Sequence, residues 1–363
     1  MTSQTIIRNT VTLATALLIC SSLVLFTSAS SSYGARPSRS FRVMTQNLYQ
    51  GADLGPLFAA TTPTQFFIEV GAAYGRVQAT NFPERAEAIA DEISDAKPDL
   101  IGLQEAVLIR TQVPADGPIT PATNVSYDFI QILLDKLDER GLNYVVAVVQ
   151  QGSDVEVPGV FPTGLVDVRL TDRDAILVNA DLTDFTLINT QSSQFAAKLS
   201  LTTAVGTVNL PRSWVSADVT LDNGSTVRFI STHLEPISPP IQALQASELL
   251  NGPGNTALPT VFIGDFNSNA DGTGTSTYGN LISAGLKDSW TLVGVGNGFT
   301  CCQDDELLNP DSSLTHRIDL VLLHGNVKAQ AVDVVGEAQD DRTSSGLWPS
   351  DHAGLAAKLK LTK

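Results

Sequence analysis

Short apolar runs separated by polar or turn-forming segments recur along the chain, a pattern typical of β-strands. They predict strands at residues 41–48, 100–104, 144–149, 175–178, 214–221, 227–232, 260–263, 318–323, 331–335 and 354–361. Apolar residues spaced as on one face of a helix predict helices at 83–96, 127–140 and 242–250. Many strands with few helices between them indicate an α/β or α+β fold.

The segments between these elements contain three long irregular stretches, at 110–126, 150–172 and 268–312, which we expect to be surface loops. Loops of this length are often functional. No stretch rich in Pro, Gly and Ser divides the chain into halves, so residues 41–363 are expected to form one domain. Residues 30–40 are expected to be a short linker before it.

The N-terminal residues 1–29 have the pattern of a cleavable signal peptide. Arg8 precedes an apolar stretch rich in Ser and Thr, and the small residues Thr27, Ser28 and Ala29 provide a cleavage site. The alternative is an uncleaved N-terminal anchor, but the apolar stretch is shorter than the about 20 residues that a membrane span requires. The sequence therefore predicts a secreted or periplasmic protein.

Removal of residues 1–29 would leave 21 basic residues against 38 acidic ones, a net charge of −17. No run of Lys or Arg is present to offer a polyanion a basic surface. Cleavage would also remove Cys20 and leave Cys301 and Cys302, which are neighbours in sequence. They could form a disulfide or stay as two thiols, but they cannot connect distant segments, so the fold must depend on its core.

Polar side chains of a few types follow or interrupt the apolar runs. They are carboxylates, amides and imidazoles, namely Asn47, Glu105, His233, Asp265, Asn267, Asp319 and the adjacent pair Asp351-His352. Each alone is compatible with a structural role, but the set is hard to obtain by chance. Carboxylate and amide oxygens are ligands for Mg²⁺. The absence of Cys-rich spacing and of an HExxH helix argues against zinc.

Seven stretches resemble the endonuclease/exonuclease/phosphatase superfamily and occur in the order found in that family. They are MTQNLY at 44–49, PERAEAIADEISDAKPDLIGLQE at 83–105, RDAILV at 173–178, ISTHLE at 230–235, IGDFNSN at 263–269, HRIDLVL at 316–322 and SDHAGL at 350–355. The resemblance implies a four-layer α/β/β/α sandwich with two packed, mostly antiparallel sheets. It also implies a Mg²⁺-dependent hydrolase of phosphoester bonds, with Mn²⁺ or Ca²⁺ as other ions that could serve.

The resemblance also implies a role for each site residue. The residues that it implies bind the metal are Glu105, Asn47 and Asp351. The residues that it implies are catalytic are His352, Asp319, His233, Asp265 and Asn267. His352 matches the general base and Asp319 the carboxylate that orients it. Contacts to the substrate phosphate are expected from Arg212, His233 and Asn267.

The substrate is not determined by these motifs. A small or lipid phosphodiester is preferred over nucleic acid because the chain is acidic, and a secreted endonuclease is the alternative. Leu347-Trp348, shortly before Asp351, is one candidate for a lipid-contacting loop, although a Trp packed beneath the last strand is the more common arrangement. A relative that only binds would not need the complete set of site residues. No obligate protein partner is evident, and a monomer is expected.

Overall fold

Sixteen strands and seven α-helices occur in residues 40–362, the part of the chain that the computed structural model describes. The predicted signal peptide and the predicted linker up to residue 39 lie outside this range. The strands are β1 (Ser40–Asn47), β2 (Leu100–Gln104), β3 (Leu108–Gln112), β4 (Asn124–Asp128), β5 (Tyr144–Phe161), β6 (Gly164–Asn179), β7 (Phe185–Gln194), β8 (Leu199–Thr203), β9 (Gly206–Leu210), β10 (Ser213–Leu221), β11 (Thr226–His233), β12 (Thr260–Asp265), β13 (Lys287–Asp288), β14 (Asp319–His324), β15 (Val327–Val335) and β16 (Gly354–Leu361). The helices are α1 (Gly55–Ala59), α2 (Pro63–Ala79), α3 (Phe82–Ala96), α4 (Phe129–Glu139), α5 (Pro239–Asn251), α6 (Thr277–Ser283) and α7 (Ser289–Val293).

Two large sheets contain most of these strands. The first has the order β15-β16-β1-β2-β6-β3-β4, with β5 also paired to β6, and the second has the order β13-β14-β12-β11-β10-β7. Strands β1 and β2 are parallel, as are β11 and β12, and the other pairs in both sheets are antiparallel. A separate hairpin is formed by β8 and β9.

Three apolar clusters show how the layers are stacked. One lies between the sheets and joins residues such as Val43 and Ile176 of the first sheet to Phe229 and Ile263 of the second. A second packs α2, α3 and α4 onto the outer face of the first sheet, and a third packs α5 and α6 onto the outer face of the second. This is the predicted α/β/β/α sandwich. Burial of the apolar faces of both sheets stabilises it.

Residues 150–172 are not the loop that the sequence predicted. They extend β5 and β6 into a long hairpin that is paired as far as Phe161 and Gly164. Its apolar side chains, including Val157, Val168 and Leu170, pack against the helices, and Arg169 pairs across the strands with Asp154. Pro158 and Gly159 lowered the strand signal, and the packing that stabilises the hairpin is not visible in the local pattern.

Helices α1 and α2 were not predicted, although they cover this hairpin. Thr62 caps α2 by accepting a hydrogen bond from the Gln65 backbone N–H, and Pro63 begins the helix. The helix approaches β5 so closely that a Cβ atom at Gly71 would lie 2.1 Å from the carbonyl oxygen of Val160. None of the helices within residues 40–362 is both long and apolar enough to cross a membrane.

A buried arginine, Arg85 of α3, holds together the loops that follow β1 and precede β16. Its guanidinium donates to the carbonyl oxygens of Leu48, Tyr49, Thr80 and Pro349 at 2.8 to 3.0 Å. Burial lowers the pKa of Arg85 to about 10, partly offset by the negative charge of nearby Asp351, so the side chain remains cationic at neutral pH.

We expect Arg85→Lys to lower the free energy of unfolding by about 3 kcal/mol, because a single ammonium cannot reach carbonyl groups on separate loops. Urea denaturation measures the difference. Arg140→Lys is the control, since Arg140 makes a surface ion pair with Asp91 and should cost about 1 kcal/mol or less. Equal losses in the two variants would contradict the role assigned to Arg85.

Candidate active site

The predicted site residues gather at one edge of the two packed sheets. Asn47 ends β1 and Glu105 directly follows β2, its parallel neighbour. His233 and Asp265 end the parallel strands β11 and β12, where they are paired in register, and Asp265 is also opposite Asp319 of β14. Parallel neighbours present their carboxyl ends at the same edge, which explains why these distant residues meet.

The backbone around Asp265 depends on a glycine. Gly264 has a φ of 136°, and a Cβ atom there would lie 1.9 Å from the carbonyl oxygen of Thr232. Glu105 and Asn267 also have positive φ, 50° and 49° respectively, although neither is glycine. Such conformations are uncommon for these residue types and often occur at functional sites.

His352 and Asp319 form the predicted dyad. Nδ1 of His352 lies 2.8 Å from Oδ2 of Asp319, and both residues are buried. Burial opposes protonation of His352, but Asp319, Asp351 and Asp265 outweigh it and raise the pKa of His352 well above its usual range. With Nδ1 held by Asp319, Nε2 is the ring nitrogen left to exchange a proton, and it lies 3.9 Å from Oδ2 of Asp265.

The surroundings of His233 shift its pKa in the opposite direction. Nη1 of Arg212 lies 3.0 Å from Nδ1 and 3.5 Å from Nε2 of His233. Because arginine can only donate, the shorter contact favours the neutral tautomer in which Nδ1 accepts and Nε2 carries the proton. Burial lowers the pKa of His233 well below its usual range, and Arg212 and His352 lower it further. Nε2 lies 3.4 Å from Oδ2 of Asp265, so His233 is a neutral donor at the centre of the site.

Asp265 and Asn267 are fixed by short local contacts. Oδ1 of Asp265 accepts a hydrogen bond from the backbone N–H of Asn267 at 2.8 Å, and its Oδ2 accepts one from Nδ2 of Asn47 at 3.2 Å. Nδ2 of Asn267 donates to the carbonyl oxygen of Leu234 at 2.9 Å. An amide nitrogen carries two hydrogens, so Asn267 keeps a second donor for a substrate oxygen.

The residues predicted to bind a metal fit a divalent cation. Burial, aided by the negative charge of Glu105 and opposed by His352 and Arg85, raises the pKa of Asp351 to about 7. Burial and then Asp319 likewise raise the pKa of Asp265 to about 7. Glu105 accepts a hydrogen bond from the backbone N–H of Gln50 at 2.7 Å, which orients its carboxylate. Carboxylates crowded in a partly buried site, with the amide of Asn47 beside them, are a donor set suited to Mg²⁺.

Asp265, Asp319 and His352 also place one donor atom each within 4.8 Å of one another, as a metal site would. In this group, however, His352 and Asp319 already share a hydrogen bond through Nδ1 and Oδ2. The dyad accounts for their proximity, so Glu105, Asn47 and Asp351 remain the residues predicted to bind a metal.

The segment that contains Cys301 and Cys302, which are joined by a disulfide bond, supports both halves of the dyad. Thr300 accepts hydrogen bonds through Oγ1 from the backbone N–H of Asp319 at 3.1 Å and through its carbonyl oxygen from the backbone N–H of Ala353 at 2.8 Å. The stretch 268–312 is thus not simply the surface loop that was predicted, because it contains α6, β13 and α7 and, through Thr300, fixes the backbone of both Asp319 and Ala353.

A sequence comparison identifies the family to which this architecture corresponds. The sequence model described as the Endonuclease/Exonuclease/phosphatase family matches residues 44–352. The chain belongs to this family. It is therefore an enzyme of the metal-dependent phosphoester hydrolase class. None of the curated proteins compared with the chain matches it in sequence.

Solved structures share the fold of this family member. An endonuclease/exonuclease/phosphatase family protein from Bacteroides thetaiotaomicron has a TM-score of 0.56 and 17% identity, and the alignment covers 90% of this chain and 100% of that one. A mannosyl-6-phosphatase from the same species has a TM-score of 0.54 and 17% identity, with 88% and 99% covered. TDP2 from D. rerio, complexed with single-strand DNA product, has a TM-score of 0.51 and 16% identity, with 88% and 99% covered.

Sequence reasoning missed an acidic pair beside Arg212. Asp172 and Asp174 lie two residues apart on β6 and therefore on the same face of the strand. Oδ2 of Asp172 is 3.3 Å from Nη1 of Arg212, and Asp174 accepts a hydrogen bond from Ser213. Burial raises the pKa of both carboxyls. The alternation in the sequence TDRD was the available signal, but Asp172 lay at the end of the stretch predicted as a loop, whereas Asp174 lay in the motif at 173–178.

The lipid-contacting loop considered for Leu347-Trp348 is wrong for this family member. Leu347 is 4% exposed and Trp348 is 0% exposed, and both pack with Tyr49 and Leu307. Nε1 of Trp348 donates to the carbonyl oxygen of Asn309 at 2.9 Å. The ring satisfies its one polar group inside the protein, as expected for a buried tryptophan.

We expect Asp319→Asn to move the acid limb of the pH profile of kcat/KM to lower pH while lowering the maximal rate. Asp319 raises the pKa of His352, so its removal lets His352 lose its proton at a lower pH. The profile is measured at saturating Mg²⁺. Asp222→Asn is the control. Asp222 lies just before the start of β11, at the opposite end of that strand from His233 and the site, so its replacement should leave the acid limb unchanged. An unchanged limb in Asp319→Asn would contradict the dyad.

We also expect His352→Ala to lower activity by a factor on the order of a thousand, and Asp319→Asn combined with His352→Ala to be little worse. A base and its orienting partner act as one unit, so their losses should not add. Single-turnover rates of the two single variants and the double variant measure this. Additive losses would show that the residues act independently.

Proposed function

We propose that this protein is an exported, Mg²⁺-dependent phosphodiesterase in which His352 and Asp319 activate the attacking water. The observation that carries the proposal is the buried dyad, in which Nδ1 of His352 is held by Asp319 and Nε2 lies 3.9 Å from Oδ2 of Asp265. A base with a fixed tautomer, placed next to an oxygen-rich cation site, is suited to hydrolysis of a phosphoester.

In the proposed reaction, His352 takes a proton from water through Nε2, and Asp319 stabilises the resulting imidazolium. Asp265 and Asn267 orient the water and one phosphate oxygen. His233 donates through Nε2, and its neutral state is maintained by Arg212. The new bond joins the water oxygen to phosphorus as the bond to the departing alkoxide breaks. A divalent cation held by Glu105, Asn47 and Asp351 would neutralise charge on the phosphate and the leaving oxygen.

The substrate preference rests on charge. The exported chain would carry a net charge of −17, and nuclease affinity depends mainly on neutralising phosphates with Lys and Arg. We therefore propose a small or lipid phosphodiester as substrate rather than duplex DNA. Export rests on the signal-peptide pattern of residues 1–29, and mass spectrometry of the protein recovered outside the cytoplasm would identify the cleavage site.

The test is a comparison of substrates with Mg²⁺ and with EDTA, at about 150 mM salt. Bis(p-nitrophenyl) phosphate and sphingomyelin should be hydrolysed in a Mg²⁺-dependent manner, with little nicking of plasmid DNA. Salt-sensitive nicking with no activity on the other two would make the protein a secreted nuclease. No activity on any phosphoester would favour a relative that only binds.

Glu105→Gln should raise the Mg²⁺ concentration that gives half-maximal rate by about tenfold or more, because a neutral amide replaces a charged ligand. Titration of Mg²⁺ against the rate on bis(p-nitrophenyl) phosphate measures the change. Glu69→Gln, a change at a half-buried position of α2, is the matched control and should behave as the unmodified protein. Normal turnover by Glu105→Gln at low Mg²⁺ would refute the metal assignment.

A further inference from the structure

A cavity of about 450 Å³ opens beside the metal-binding carboxylate and extends away from the dyad. Its walls come from α1 and α2 on one side and from the long β5–β6 hairpin and the β8–β9 hairpin on the other. These are the segments that the sequence patterns did not predict. The volume is within the range of about 300–1,000 Å³ that is typical of small-molecule sites.

The deep part of the cavity is apolar. Its lining includes Leu57, Phe66 and Val70 from the helices and Val157 and Leu170 from the hairpin. These side chains belong to the apolar cluster beneath the first sheet or pack against it. Water in such a space would find few hydrogen-bond partners, so an apolar occupant would bind with a favourable free energy.

The other end of the cavity is polar and coincides with the proposed site. Glu105, Asp172 and Arg212 all line it. Arg212 in turn contacts His233, which lies 3.4 Å from Asp265. The apolar and polar parts therefore form one continuous space that ends at the proposed phosphate position.

From this arrangement we propose that the substrate carries a single alkyl chain on its phosphodiester group, and that this chain occupies the cavity. The proposal rests on the proposed phosphodiesterase function and narrows its substrate class. Charge at one end and aliphatic walls at the other match an amphipathic phosphoester. An alkyl chain held in the cavity would also position the phosphorus atom, so binding energy from the alkyl chain can contribute to turnover.

Binding of n-alkyl phosphates tests the cavity directly. Isothermal titration calorimetry with methyl, butyl and octyl phosphate, each below its micelle concentration and with Mg²⁺ present, should show affinity rising about threefold to fourfold per methylene. The rise should stop when the cavity is filled. Affinity that does not depend on chain length would overturn the proposal.

Two substitutions on β9 locate the chain. Val208 lines the cavity, whereas Thr207 is exposed and adjacent strand residues point to opposite faces. Val208→Trp should reduce the affinity ratio of octyl to methyl phosphate by about tenfold or more, and Thr207→Trp should leave the ratio unchanged. Both positions are on a partly exposed hairpin, and circular dichroism verifies that the variants fold. If both substitutions changed the octyl-to-methyl affinity ratio equally, the alkyl chain would not bind beside Val208, and the proposal would be overturned.

Hydrolysis separates this inference from the proposed function. Methyl and octyl p-nitrophenyl phosphate share one leaving group, and we expect the octyl ester to have the higher kcat/KM. If both esters are hydrolysed at equal rates and binding does not depend on alkyl-chain length, the proposed binding of an alkyl chain in the cavity is wrong, whereas the proposed phosphodiesterase activity stands. If binding depends on alkyl-chain length but neither ester is hydrolysed, the proposed phosphodiesterase activity is wrong, whereas binding of an alkyl chain in the cavity stands.

Discussion

Several carboxylates share one buried edge of the sandwich, and their mutual repulsion has to be balanced by the rest of the structure. Burial and like charges raise the pKa of both Asp265 and Asp351 to about 7. The compensating cations approach from separate directions, with Arg85 beneath the loops and Arg212 beside β11. The carboxylate charge that these two arginines do not compensate favours binding of a divalent cation, so the repulsion between the carboxylates contributes to metal affinity.

The two histidines illustrate how the surroundings assign chemistry to identical side chains. His352 pairs with Asp319, which favours its protonated form, whereas His233 accepts from Arg212 and stays neutral. Both rings direct Nε2 towards the same oxygen of Asp265, at 3.9 and 3.4 Å. His352 is thus suited to exchange a proton with water, and His233 is suited to donate a hydrogen bond. Neighbouring groups that push pKa values apart are a common basis of acid and base roles.

The sandwich and its substrate cavity depend on different parts of the chain. Strands β1, β2, β11, β12 and β14 bring the reacting groups together, whereas α2 and the β5–β6 hairpin form the apolar space beside them. Gly71 permits the close contact between that helix and β5. Variation of such outer segments can change the substrate while the catalytic edge is kept, because function resides in the site that a fold carries.

The sequence alone determined the sandwich and identified the candidate site residues that the fold brings to one edge. The core strands are continuous apolar runs in the sequence, so the pattern predicts them directly. Motifs such as GDFN and SDH lie next to these runs, so the position of their residues at strand ends also follows from the local sequence. It did not predict α1 and α2, the extended β5–β6 hairpin or Asp172, because their stability comes from contacts with distant residues. The charge states of His233 and His352 and the burial of Trp348 likewise depend on neighbours from other segments. Only the tertiary structure assembles these neighbours, since burial and electrostatic interactions act through space rather than along the chain.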